Sequence, residues 1–105
     1  MIAEHPMSER ALASVLLTHD VGLHARPSVK LTKLAKTFRS DVRLGLSQDG
    51  PWIDAKSINK VMGAKVPKDT LLYFEASGDD AAVAVVALTA LVARDFVDDD
   101  TQIAD

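Results

Sequence analysis

The chain has 105 residues, of which 48% are hydrophobic and 26% charged, a balance typical of one globular domain. The absence of cysteine excludes disulfides, thiol catalysis and zinc-thiolate sites. The net charge of −3 and the aromatic content of 5% disfavour nucleic acid as a partner.

The predicted elements, in chain order, indicate an α+β domain with an antiparallel sheet covered by helices. Strands are expected over residues 12–18, 41–46, 52–54 and 70–76, and helices over 27–38, 58–62 and 81–93. The apolar run at 81–93 is too short to span a bilayer, so it is expected to be a core helix, and no membrane insertion is expected. The domain is expected to span residues 11–95, between a flexible tail at 1–10 and an acidic tail at 96–105. Residues 1–10 lack the apolar run of a secretory signal.

The three histidines differ in their sequence surroundings. His5 in the tail and His19 at a strand end are expected to be ordinary surface residues, and no cluster has the spacing of metal ligands. His24, in contrast, lies just before a helix expected to open at Pro27, where unpaired N–H groups and the helix dipole attract anions. Histidine is also a neutral nucleophile near neutral pH.

Other side chains near this helix start add to the predicted anion site. The guanidinium of Arg26 matches the geometry of phosphate oxygens, and Ser28 can add a hydroxyl donor. Taken alone, the motif is also compatible with an ordinary structural loop. The lysines of the following helix, Lys30 among them, fit either a solvated face or a docking patch for an acidic partner.

Two segments together resemble the HPr family of the bacterial phosphotransferase system. Residues 22–27, Gly-Leu-His-Ala-Arg-Pro, resemble its active-site signature, and residues 54–62, Asp-Ala-Lys-Ser-Ile-Asn-Lys-Val-Met, resemble its regulatory-serine segment. Both stand in the family's order and at about its separation. The resemblance covers roughly residues 12 to 94 and matches the family's order of four strands and three helices.

The resemblance implies an open-faced sandwich, with a four-stranded antiparallel sheet covered on one side by three helices. It implies that enzyme I, charged by phosphoenolpyruvate, phosphorylates Nδ1 of His24, which passes the group to an EIIA-type protein. Arg26 would steady the phosphoryl group, with Ala25 and Ser28 beside it, and Pro27 would set the helix start. The chain is thus expected to be a cytoplasmic, monomeric phosphoryl carrier without a cofactor, an intermediate rather than a stand-alone enzyme.

Ser57 matches the serine that HPr kinase/phosphorylase modifies with ATP in some family members. Its position before a short helix equally suits a plain N-cap. Ile58 and Met62 of this helix, together with Lys30, are the expected partner-docking residues. Phosphate on Ser57 would add bulk and charge to that docking surface.

Departures from the family pattern leave alternatives open. Asn59 and Lys65 are polar where apolar residues or glycine are frequent, which points to weaker docking or a different partner. A regulatory branch of the system, such as the nitrogen-related one, is therefore an alternative to sugar transport. A regulatory binding module whose phosphorylation state selects partners is the second hypothesis, and a small enzyme or ligand-binding domain with a coincidental motif is the third.

Overall fold

The computed structural model describes residues 9–20 and 22–97. Its seven elements follow the predicted order. They are β1 (Arg10–Leu17), α1 (Ala25–Lys36), β2 (Asp41–Gly45), β3 (Trp52–Asp54), α2 (Ile58–Gly63), β4 (Thr70–Ser77) and α3 (Ala81–Ala93). Among the described residues no helix is both long and apolar enough to cross a membrane.

The four strands form one antiparallel sheet in the spatial order β1-β4-β2-β3. The end of β1 meets the start of β4, since Leu17 lies opposite Thr70. On the other side of β4, Glu75 lies opposite Arg43 of β2, and β3 pairs with the outer edge of β2. The predicted antiparallel α+β fold is confirmed.

Side chains of the central strand alternate between the two faces of the sheet. Leu72 and Phe74 of β4 are fully buried in the core, whereas the side chain of Leu71 in the same strand is exposed. Because successive side chains point to opposite faces, the helices cover one face and leave the other open. On the open face the carboxylate of Glu75 accepts a hydrogen bond from Arg10.

The boundaries of α1 differ from the prediction. The helix begins at Ala25, two residues before Pro27, and ends at Lys36. Pro27 is therefore the third helical residue, where its missing N–H costs nothing because first-turn donors have no partner within the helix. This shift makes His24 the N-cap residue itself.

The packed domain also extends further at each end than predicted. Arg10 begins β1, and Phe96, placed by the sequence in the acidic tail, has only 3% of its surface exposed. His5 and the other tail residues at 1–8 and 98–105 lie outside the described residues. Helix and strand propensities did not predict the burial of Phe96, because this residue follows the end of α3 and reaches the interior only through the turn at residues 95 and 96.

Helix α3 is buried on one face only, which corrects the expectation of a core helix. Ala84, Val85 and Leu88 are buried, whereas Val83 and Val86 are 62% and 64% exposed. The sequence did not predict which face is buried, because apolar residues occupy both faces of the helix and it therefore has no amphipathic pattern.

Asp80 ties the start of α3 to the loop after α1. Its carboxylate accepts hydrogen bonds from the Ser40 hydroxyl (2.5 Å) and from the backbone N–H groups of Arg39 and Ser40 (2.9 Å each). These bonds, the Ser40 hydroxyl foremost, lower the pKa of Asp80 to about 2 because they stabilise the carboxylate form.

Candidate functional site

His24 is the N-cap of α1. Its backbone is extended, with φ −85° and ψ −165°, and its side chain makes no capping hydrogen bond. Its carbonyl oxygen accepts the first helical hydrogen bond, from the N–H of Ser28 at 2.9 Å. The imidazole is exposed, so a ring nitrogen is accessible to a partner protein at the positive end of a twelve-residue helix.

The first turn of α1 leaves two backbone donors beside His24. Pro27 has no N–H, and the N–H of Ser28 is already bonded to His24. The amides of Ala25 and Arg26, the first two helical residues, have no acceptor within the helix. Together with the exposed guanidinium of Arg26, they form the kind of environment that stabilises a phosphoryl group.

The loop before His24 is held against a second loop, residues 64–69. Gly22 adopts a positive φ of 70°, and a Cβ atom there would lie 2.3 Å from the carbonyl oxygen of Val66. That same oxygen accepts a hydrogen bond of 2.9 Å from the N–H of Leu23, whose side chain is buried. Only glycine permits this close approach, and the approach fixes where His24 begins α1.

The Ser28 hydroxyl is engaged away from the candidate site. It is fully buried and donates a hydrogen bond of 3.2 Å to the carbonyl oxygen of Leu23. This contact ties the first turn of α1 to the preceding loop. It argues against the expected donation from Ser28 to a phosphoryl group, because the hydroxyl faces the protein interior.

An open depression of about 370 Å³ lies beside His24. Met62, at the end of α2, and Lys65, in the loop after it, line it together with His24. Met62 is 41% exposed, so the structure places one expected docking residue next to the histidine. Lys65 has a positive φ of 51°, which glycine would adopt more readily, in keeping with its departure from the family pattern.

The other expected docking residues lie at different places around the site. Lys30 lines a second depression with Arg26 and His19, and its ammonium group donates to the carbonyl oxygen of Phe96 at 2.8 Å. Ile58 is half-buried at the start of α2. Ile58 and Met62, four residues apart on α2, are neighbours on one helix face, whereas Lys30 lines a different depression.

Ser57 is the N-cap of α2. Its hydroxyl oxygen accepts a hydrogen bond of 3.3 Å from the N–H of Lys60, so the predicted capping role is confirmed. Helix α2 has six residues, and each adds about 1.5 Å of rise. Met62, which borders His24, is five residues after Ser57, so the two stand about 7–8 Å apart along the helix axis.

Comparison with known proteins identifies the family. The family model described as "PTS HPr component phosphorylation site" matches residues 12–94. The chain belongs to the HPr phosphocarrier family of the phosphotransferase system.

Two relatives are similar to this chain over most of its length. A phosphocarrier protein HPr from Cupriavidus necator is 41% identical over 80 residues, which cover 76% of this chain and 88% of the relative. A multiphosphoryl transfer protein from Vibrio cholerae is 41% identical over 85 residues, 79% of this chain. This chain spans only 21% of the length of that second relative.

Solved HPr structures share the fold. HPr-C-His from Thermoanaerobacter tengcongensis superposes with a TM-score of 0.75 at 29% identity, covering 82% of this chain and 94% of that one. The histidine-containing phosphocarrier protein of Mycoplasma superposes with a TM-score of 0.73 at 31% identity, covering 83% and 98%. The open-faced sandwich implied by the sequence resemblance is confirmed.

Two residues near the candidate site were not predicted from the sequence. The place of Lys65 beside His24 depends on the turn after α2, which the sequence pattern does not specify. Phe96 was assigned to a tail, although its ring packs edge-to-face against His19 with centroids 5.7 Å apart. In both cases the contact joins residues distant in sequence, and no local pattern encodes it.

Proposed function

We propose that this protein accepts a phosphoryl group from phosphorylated enzyme I on His24 and passes it to an EIIA-type protein. The observation that carries this proposal is the position of His24, an exposed N-cap beside the amides of Ala25 and Arg26. Membership of the HPr family supports the same assignment.

The chemistry requires little more than this arrangement. A neutral ring nitrogen of His24, Nδ1 by family resemblance, attacks the phosphorus, and the bond from phosphorus to the donor breaks as the new N–P bond forms. The two amides and the Arg26 guanidinium stabilise the charge on the transferred oxygens, which is the main demand of phosphoryl transfer. Pro27 fits the first turn but has no N–H to donate, so the backbone donors for those oxygens are the amides of Ala25 and Arg26.

The test is phosphorylation by phosphoenolpyruvate and a cognate enzyme I, followed by intact mass. We expect one phosphoryl group on the wild type, removed by acid, and none on His24→Ala. His19→Ala is the matched control, since His19 lies near the same helix start but is packed against Phe96, and it should still be phosphorylated. Addition of an EIIA-type protein should then discharge the wild type.

Two results would contradict the proposal. One is a phosphoryl group on His24→Ala at the wild-type level. The other is an unmodified, folded wild type in the presence of an enzyme I that phosphorylates another HPr. The second result would favour the regulatory binding module over the carrier.

We also propose that phosphorylation of Ser57 by an HPr kinase/phosphorylase regulates docking. The support is the location of Ser57 at the start of α2, whose other end borders His24 through Met62. A phosphate on the cap oxygen would face the positive end of the helix and add charge to the surface that partners approach. The regulatory-module alternative uses the same residue.

Incubation with an HPr kinase/phosphorylase and ATP distinguishes a Ser57 switch of the carrier from the regulatory binding module. Wild type should be modified and Ser57→Ala should not, and the modified protein should accept phosphate from enzyme I more slowly. An equal rate before and after modification would remove Ser57 as a switch of the carrier. Partner binding that depends on Ser57 and survives His24→Ala would support the regulatory module instead.

A further inference from the structure

The chain reverses direction after α3 and is anchored beside α1. Asp95 and Phe96 both have positive φ angles, 56° and 63°, and such angles in non-glycine residues persist only where surrounding contacts hold them. The Phe96 side chain is buried, and its ring meets His19. The turn therefore has a fixed position in the fold.

Three hydrogen bonds fix the direction in which the chain leaves this turn. The Thr18 hydroxyl donates to the carboxylate of Asp95 at 3.0 Å, and Lys30 donates to the carbonyl oxygen of Phe96. The Arg94 guanidinium donates to the carbonyl oxygen of Val97 at 2.8 Å. Val97 lines the same depression as Arg26, so the last described residue lies at the helix end that begins with His24.

A basic groove runs from this point along α1. It encloses about 740 Å³ and has four cationic side chains among its lining residues. Its cations, which we call the α1 basic surface, are Arg26, Lys30, Lys33 and Arg94. The remaining lining residues include apolar side chains of α1 and α3, and none of the described residues that line the groove is acidic.

The sequence after Val97 complements this groove in charge and length. Residues 98–100 are three aspartates, and Asp105 follows after Thr-Gln-Ile-Ala. Three extended residues span at most about 10 Å. The rise of α1 from Arg26 to Lys33 is also about 10 Å.

We propose that residues 98–105 bind the α1 basic surface of their own chain and compete there with acidic groups of phosphotransfer partners. This inference rests on the proposed phosphocarrier function for its consequence, though not for the contact itself. Because the segment is tethered at Val97, its effective concentration at the groove is high without any strong individual contact. The tail thereby lowers the rate of partner association, most strongly at low salt.

The contact is tested by a spin label on the tail. The chain has no cysteine, so Thr101→Cys carries a nitroxide at a single site. At about 0.01 M salt, where the Debye length is about 30 Å, we expect broadened amide signals at Arg26, Lys30 and Lys33. At about 1 M salt, where it is about 3 Å, and in the labelled Asp98→Asn/Asp99→Asn/Asp100→Asn variant, those signals should sharpen.

The matched control changes the net charge equally at three residues that do not line the groove along α1. Asp41→Asn/Asp49→Asn/Asp79→Asn removes three carboxylates, all exposed, and the first of them pairs with Ser77 at the end of the sheet where β1 begins. This variant should keep the broadening pattern. Broadening that is unchanged in the tail variant, or that is absent from α1 in the wild type, would overturn the contact.

The competition is tested by the initial rate of phosphorylation by enzyme I. At low salt the tail variant should react about three- to tenfold faster than wild type, and the control variant should not, since electrostatic steering changes association rates on this scale. Equal rates for wild type and tail variant would overturn the competition. Broadening confined to α1 with no phosphorylation of any variant would support the tail contact while overturning the carrier function, so the two failures are distinguishable.

Discussion

Gly22 controls the candidate site at the scale of a single residue. Its positive φ and its close approach to the Val66 carbonyl leave no room for a Cβ atom. We expect Gly22→Ala to lower the free energy of unfolding by more than about 1 kcal/mol, because both the backbone angle and the contact are incompatible with alanine. Urea unfolding measures the loss, and the phosphorylation rate should also fall since His24 is displaced.

Gly63→Ala is the matched control for Gly22. Gly63 is the last residue of α2, and a Cβ atom there would meet nothing within 4 Å. Alanine is favoured over glycine in a helix by up to about 1 kcal/mol, so this variant should be equally or more stable than wild type. Equal effects of the two substitutions would mean that the loop before His24 tolerates a different path.

At the scale of the element, α2 depends on its cap. Ser57→Ala removes the oxygen that accepts the Lys60 N–H, and we expect a loss of about 1 kcal/mol in urea unfolding. Ser57→Asp retains an acceptor at the positive end of the helix and should stay close to wild type. A Ser57→Asp protein as unstable as Ser57→Ala would show that the hydroxyl contributes through another contact.

The tether between α3 and the loop after α1 gives the fold a defined pH dependence. The pKa of Asp80 falls from 3.8 to about 2 because its carboxylate accepts hydrogen bonds from Ser40 and Arg39. A carboxyl group with a lowered folded-state pKa stabilises the fold above its unfolded-state pKa, and this contribution is lost as pH falls through the folded-state pKa. Asp80→Asn should therefore be less stable than wild type above about pH 4, and the difference should close toward about pH 2.

Unfolding by urea across this pH range measures the effect of Asp80. Asp79→Asn is the control, since Asp79 is exposed in the same turn and takes no part in the hydrogen bonds to Ser40 and Arg39. We expect it to change stability much less. A constant difference between Asp80→Asn and wild type down to pH 2 would contradict the assigned role of the carboxylate.

At the scale of the whole molecule, the sequence predicted what local patterns encode. The turn residues at 47–51 located the returning strand β3 over residues 52–54, and the apolar run located α3 over 81–93, both as observed. The position of His24 just before a helix was also predictable, because Pro27 marks the first turn, although the helix begins two residues earlier than predicted. The burial of Phe96 was not, since it depends on packing against a segment distant in sequence. The engagement of the Ser28 hydroxyl was not either, since it depends on the path of the loop before α1.

The single buried face of α3 could not be predicted from the sequence, and it can be tested directly by substitution. Leu88 is completely buried, whereas Val86 is 64% exposed. Leu88→Ala should cost about 2–5 kcal/mol in urea unfolding, because it removes packed methyl groups and leaves a cavity between α3 and the sheet. Val86→Ala should change stability by no more than about 0.5 kcal/mol, as exposed substitutions do. Similar losses at both positions would mean that the outer face of α3 is covered in solution. A dependence of the Val86→Ala effect on protein concentration would then identify a second copy of the chain as the cover.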